Sequence, residues 1–415
     1  RIALSIISRA ILFFMESMRT RKMKKLQMKY NLLHILYWMA TCCIYGYVAV
    51  FLQYKGMSNT EIGIVSGSGC ILTIFLSPFV TSLISKIKGL TIKQLLSIIY
   101  LIIAGAFLTL ALVDLSVILI MLLYVSMMSL IVSTVPFLSM IAMNYIQDGK
   151  EINFGLARGM GSISYAVSAV LLGQFIEFFN PTILAYVFVI SAILDLVILY
   201  SLPNTNVKQA THKKEGNIFT IIKNYKVFFF ILLGFSFMFA AATSLSTYLI
   251  NVVKNLGGNT SLYGVAIFFM AASEMPVMAI TPRLIRRYDS ITLIMVAAFF
   301  YIIRNFTICL APSLPVLFIG MMMQSLSYGL LTAVITYYVT YNLKSHDQMM
   351  GQTMIGIMTS GVGSTIGNLF GGILQDQYGL NMMFIFACLI TIIGVIIIFS
   401  TGYFQKKQLN TPTKQ

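Results

Sequence analysis

The feature that most constrains this chain is the recurrence of apolar stretches about as long as a lipid bilayer is thick. A helix rising 1.5 Å per residue needs roughly 20 mostly apolar residues to cross the hydrocarbon core. From Tyr30 to Tyr403 such stretches follow one another with only short polar breaks. The pattern predicts twelve spans, near residues 30–54, 60–85, 92–113, 116–146, 153–178 and 181–202, then 225–253, 260–282, 290–311, 313–343, 349–375 and 381–403. Only 10% of residues are charged and 58% are hydrophobic, against about 25% charged in soluble domains. Lipid, not water, is the expected solvent.

The formal net charge of +16 would suit a nucleic-acid partner only if Lys and Arg shared one soluble face. Instead they alternate between loops. All but Lys55, Lys254, Arg158 and Arg304 of the 28 Lys and Arg fall on one side of a twelve-span layout. Basic residues are retained on the cytoplasmic side of short loops, so both termini are expected inside a plasma membrane. The five cysteines fall within spans and form no CxxC or Cys/His cluster, so neither a metal nor a disulfide framework is expected. His34, His212 and His346 have no metal-ligand company. No GxxxxGK[ST], HExxH or GxSxG signature is present, so neither a cofactor nor enzyme activity is expected.

Residues 1–29 read as a basic N-terminal extension, poorly ordered, whose apolar run Ile2–Phe14 is too short to span. A six-span bundle at 30–202, a basic cytoplasmic linker at 203–224, a second bundle at 225–403 and a cytoplasmic tail at 404–415 complete the expected layout. The two bundles echo each other. Asn59-Thr60 recurs as Asn259-Thr260, Pro78 as Pro276, and Gly159-Met-Gly-Ser162 as Gly361-Val-Gly-Ser364, at offsets of 198 to 202 residues. Offsets this uniform, and equal to six spans, indicate a duplicated unit. Gly361, Gly363, Gly367, Gly371 and Gly372 read as a helix-packing face, because small residues let backbones approach in lipid.

Two six-helix halves joined by a basic loop resemble the major facilitator superfamily, whose halves are parallel repeats around a midplane site. Three stretches resemble its lactose-permease-like, or oligosaccharide:proton symporter-like, branch more closely. They are Gly56-Met-Ser-Asn-Thr-Glu-Ile-Gly63 running into Ser77-Pro78, Asn153-Phe-Gly-Leu-Ala-Arg-Gly-Met-Gly-Ser-Ile-Ser-Tyr165, and Tyr263-Gly264 through Arg304 to Gln324-Ser-Leu-Ser-Tyr-Gly329. The resemblance implies that Arg158 binds a sugar, that Tyr165 stacks on its ring, and that Arg304 takes part in proton coupling. It also shows departures. Ser327 and Leu330 stand where the permease has its span-ten histidine and coupling glutamate, Ser139 stands near its span-four carboxylate, and the loop after span two is degenerate at Ser85-Lys-Ile-Lys-Gly89. These departures argue against lactose itself.

Ionisable groups inside spans cost several kcal/mol unless paired or hydrated, which makes Glu274 and Arg304 the sharpest clues. Glu274 lies about 18 Å into span eight and reads either as a substrate- or proton-binding carboxylate or as half of a structural salt bridge. Arg304, about 21 Å into span nine, is expected to face a cavity. Arg158 lies close enough to the start of span five for snorkelling to be the alternative. Asp195 is expected near the cytoplasmic interface, hydrated. Trp38 and Tyr45 offer stacking faces and hydroxyl or indole donors, with plain helix packing as the alternative.

Together these features predict a monomeric secondary transporter moving a sugar, oligosaccharide or nucleoside by alternating access with proton symport. The rivals are proton-coupled efflux of amphipathic compounds, which the 26 Met and 30 Phe would suit, and a non-transporting sensor on a transporter scaffold.

Overall fold

Backbone N–H and C=O groups find no water in hydrocarbon, so a chain this apolar can only satisfy them as helices or a closed barrel. A computed structural model describes residues 25–87, 89–150, 152–203, 218–344 and 347–410. Among them every regular element is helical. Ten helices are long and apolar enough to cross a membrane, and the bent pair Lys25–Gly46 and Val48–Tyr54, turning by 50°, makes an eleventh candidate. The stretch expected at 349–375 is helical too, as Gln348–Gly356, a π-helical segment Ile357–Gly363 and Ser364–Tyr378. Its Gly, Ser, Thr and Gln content makes it the least apolar of the set.

Helix begins before residue 30, within the stretch read as an extension. Lys25 already opens the helix Lys25–Thr41, because Gln27 is tied down: its Nε2 donates to Asn31 Oδ1 at 2.7 Å and its Oε1 accepts from the Asn153 N–H at 2.7 Å. Residues 1–24, 204–217 and 411–415 lie outside the described residues, and with them most of the linker, including His212, as does His346. The end of the linker forms a short helix, Ile218–Asn224, and the last span continues into the tail as Leu380–Asn410.

By packing the chain divides into two compact units, Arg1–Tyr47 with Phe75–Ala210 and Val48–Ile74 with Thr211–Gln415. In the first, Lys25–Thr41 packs on Phe154–Phe178 and Ile183–Ser201, and Ile92–Leu112 packs on Val117–Ser133 and Ile183–Ser201. Buried tyrosines bond the backbone where helices break. Tyr37 donates to the Ile131 carbonyl at 2.7 Å, beside the break that precedes Pro136, and Tyr124 donates to the Ile44 carbonyl at 2.8 Å, beside the bend of span one. Both bonds tie a neighbouring helix to the backbone at the break, and at Ile131 the Tyr37 hydroxyl adds to the bonds the carbonyl accepts from the Thr134 N–H and hydroxyl.

In the second unit, small residues set the helix spacing. A Cβ on Gly234 would lie 2.7 Å from the Gly394 carbonyl oxygen, and one on Gly394 2.6 Å from that of Gly234, so Lys226–Thr247 and Leu380–Asn410 touch backbone to backbone. The glycine face read from span eleven packs as expected: a side chain at Gly367 would collide with the Ala240 backbone, and one at Gly371 with Ser244. The repeat is visible in the backbone as well. Gly56 at φ 82° and Gly257 at φ 76° make the left-handed turns that lead into Asn59–Lys86 and Thr260–Arg287.

Candidate functional site

In the first unit, Asn153 caps Phe154–Phe178 by accepting from the Leu156 N–H, and this helix presents Arg158, Ser162 and Tyr165 on one side. The seven-residue step from Arg158 to Tyr165 is two helical turns. The Arg158 guanidinium lies over the Trp38 ring, 4.1 Å from its centroid, and its Nη1 donates to Ser162 Oγ at 2.7 Å. Tyr165 meets Trp38 edge to face with centroids 6.4 Å apart. Gly161 makes this possible, since any side chain there would run into the indole. The Trp38 Nε1 is buried with no hydrogen-bond partner among the described residues. The Tyr45 hydroxyl donates to the Met128 carbonyl at 3.3 Å. Trp38, Arg158 and Tyr165 are therefore brought together, with the planar cation of the exposed Arg158 covering an aromatic face.

Asp195 differs from expectation. It is 1% exposed, not hydrated at an interface, with Oδ2 accepting from the Tyr100 hydroxyl at 2.6 Å and Oδ1 without a partner among the described residues. Its side chain turns into the packed side of Ile183–Ser201, a direction that depth along the sequence does not reveal.

The second unit holds the other polar group. Glu274 is half-buried on Thr260–Arg287, and its Oε1 accepts from Gln324 Nε2 at 3.0 Å. Gln324 reaches it because span ten is broken: Leu314–Met322 gives way to the short 3-10 turn Met323–Ser325 before Tyr328–Asn342 begins. Ser327 bonds back to the Met323 carbonyl at 2.9 Å, and Leu330 lies in the apolar core. Arg304 is fully buried. Its Nη1 donates to Asn305 Oδ1 at 2.7 Å, Asn305 Nδ2 donates to Thr391 Oγ1 at 2.7 Å, and its Nε and Nη2 have no hydrogen-bond partner among the described residues. Glu274, Tyr301 and Arg304 lie within electrostatic reach of one another. A buried guanidinium with two unmatched nitrogens is a costly arrangement, and it is suited to receiving an oxygen acceptor.

A third polar network in the same unit involves residues that sequence reasoning passed over. Asp376, at the end of Ser364–Tyr378, caps the helix that starts at Asn59. Its Oδ1 accepts from Asn59 N at 3.2 Å and Asn59 Nδ2 at 2.8 Å, and its Oδ2 accepts from Thr60 N at 2.6 Å. Asn251 Nδ2 donates to Asn59 Oδ1 at 2.9 Å and Gln375 Oε1 at 2.8 Å, while Gln53 Nε2 donates to Asn251 Oδ1 at 2.8 Å. The repeated Asn-Thr pairs were the only signal pointing here.

No group of three or more metal-ligating side chains occurs among the described residues. Comparison with known proteins agrees with a membrane carrier. The family model described as "MFS_1 like family" matches residues 27–386. The chain is similar to the maltose permease of Geobacillus stearothermophilus, 21% identical over 264 residues that make up 64% of this chain and 66% of that one. It is also similar to the uncharacterized transporter YwbF of Bacillus subtilis (strain 168), 23% identical over 366 residues, 86% of this chain and 88% of that one. Among solved structures, a mutant of the nucleoside transporter NupG shares the fold with a TM-score of 0.76 at 15% identity, covering 91% of this chain and 98% of that one. With ten spanning helices and an eleventh bent candidate among the described residues, and a family match over most of its length, the chain belongs to the MFS_1 like family and is a multi-pass membrane transporter of the major facilitator type.

Proposed function

We propose that the protein moves a sugar, oligosaccharide or nucleoside across the plasma membrane by alternating access, driven by protons, with both termini in the cytoplasm. The solute class is supported by its similarity to a maltose permease and to a nucleoside transporter. It is also supported by the group Trp38, Arg158 and Tyr165, which combines stacking faces with a fork of donors for ring hydroxyls. Tyr45 takes a supporting place in this reading, since its hydroxyl is already engaged by Met128.

The observation that carries the coupling half is the hydrogen bond between Glu274 and Gln324 within reach of the buried Arg304. As a carboxylate, Glu274 accepts the Gln324 N–H. As a neutral acid it becomes a donor, and Gln324 Oε1, buried without a partner among the described residues, becomes the acceptor once the amide turns over. One amide thus serves both protonation states, so a proton can enter and leave without leaving Glu274 unsatisfied. Arg304, whose Nε and Nη2 have no hydrogen-bond partner among the described residues, offers donors to a solute oxygen.

Glu274→Gln mimics the neutral acid, and reconstituted vesicles test it. The variant is expected to exchange solute down its gradient at rates near wild type and to lose proton-driven accumulation. Wild-type accumulation by Glu274→Gln under a proton gradient alone would remove Glu274 from coupling.

A further inference from the structure

Two cavities lie side by side in the second unit, at the end where the linker enters span seven. One, of about 370 Å³, is walled by Lys223, Asn224, Tyr225, Lys226, Asn342 and Gln405. The other, of about 450 Å³, is walled by Phe230, Ile396, Ile397 and Phe404 beside Ser400 and Thr401. Lys226, Val227 and Gln405 belong to both. A cavity that carries two lysines beside Val227, Phe228, Tyr338 and Leu343 therefore shares part of its wall with an apolar one.

We propose that the pair holds one anionic phospholipid, with its phosphate beside Lys223 and Lys226 and an acyl chain along Phe230, Ile396 and Phe404. Charge complementarity identifies the occupant. Two lysines and no carboxylate line the cavities. The nearby Asp347 is 3% exposed and already accepts from the Tyr225 hydroxyl at 2.9 Å. The apolar wall is open to lipid: Phe230, Ile396 and Phe404 are 47%, 58% and 64% exposed on helices long enough to span. Gln405 Oε1 is buried without a partner among the described residues, an acceptor placed between the two cavities for a hydroxyl of a glycerol headgroup. Basic clusters at the ends of spans attract anionic lipid by roughly fivefold per lysine.

Purified full-length protein in neutral detergent, titrated with phosphatidylglycerol or phosphatidylcholine and read by native mass spectrometry, tests this. Phosphatidylglycerol is expected to bind more tightly. Lys223→Gln with Lys226→Gln should weaken it on the order of 25-fold, and Ile397→Trp, which fills the apolar cavity without changing charge, should weaken it as well. Arg286→Gln with Arg287→Gln, a charge-matched control in the same unit, should leave the affinity unchanged. Equal affinity for the two lipids, or equal loss in the control, overturns the proposal. Displacement of the lipid from the wild type by millimolar inorganic phosphate also overturns it, since a phosphate site alone would then explain the lysines. If the lysine pair variant does not fold, Ile397→Trp and the wild-type competition still decide.

Discussion

Tyr165 stands where two demands meet: its ring packs edge to face on Trp38, and its hydroxyl lies close enough to Gly46 that a Cβ there would be 3.1 Å away. If the ring face carries the solute contact, Tyr165→Phe should keep solute affinity within about twofold, while Tyr165→Ala should weaken it roughly two- to tenfold, the range of a lost aromatic contact. Equilibrium binding to purified protein distinguishes these. Equal, small effects from both variants would return Tyr165 to plain packing. At this scale the sequence was readable where a charge interrupts an apolar run, which is why Arg158, Glu274 and Arg304 stood out. Gln324 and Asn305 did not, because a neutral amide in a span has no meaning until its partner is known, and both partners come from other helices.

At the scale of helices, the breaks matter more than the regular stretches. Apolar periodicity gave the spans, but nothing in it marked the bend after Gly46, the 3-10 turn at Met323–Ser325 or the π-helical segment Ile357–Gly363, since apolar spacing says nothing of which polar groups meet there. The Asp376 network is a junction of the same kind. It ties Val48–Ile74, which the sequence repeat places in the first half, to Leu249–Asn255 and Ser364–Tyr378. Alternating access on a repeat of this kind requires such a junction to part in one of its states. A carboxylate on a helix N-terminus contributes roughly 0.5–1 kcal/mol at an exposed site, so Asp376→Ala should raise the parted fraction about two- to fivefold. Spin labels at the exposed Tyr54 and Tyr378 would report it as added population at longer distance by double electron–electron resonance. An unchanged distance distribution would reduce Asp376 to a local cap with no part in opening.

For the whole molecule, charge decides how the chain lies in the bilayer. Were the basic loops outside, each Lys or Arg carried across the membrane would work against about 2.3 kcal/mol per 100 mV, and that cost would repeat in every such loop, leaving Lys55 and Lys254 as the only loop cations within. The reverse orientation keeps the basic loops inside and demands an even number of spans, which agrees with eleven candidates plus the interrupted helix Gln348–Tyr378. It also places the turns at Gly56 and Gly257 on the outer face. Single cysteines introduced at Gly56 and Asn255 should therefore react with a membrane-impermeant maleimide added to intact cells, while a cysteine in the 203–223 segment should react only after the cells are opened. A cysteine-free background is needed, because Cys70 and Cys388 are only partly buried. Labelling of the 203–223 segment from outside would invert the orientation, and with it the leaflet in which Lys223 and Lys226 lie.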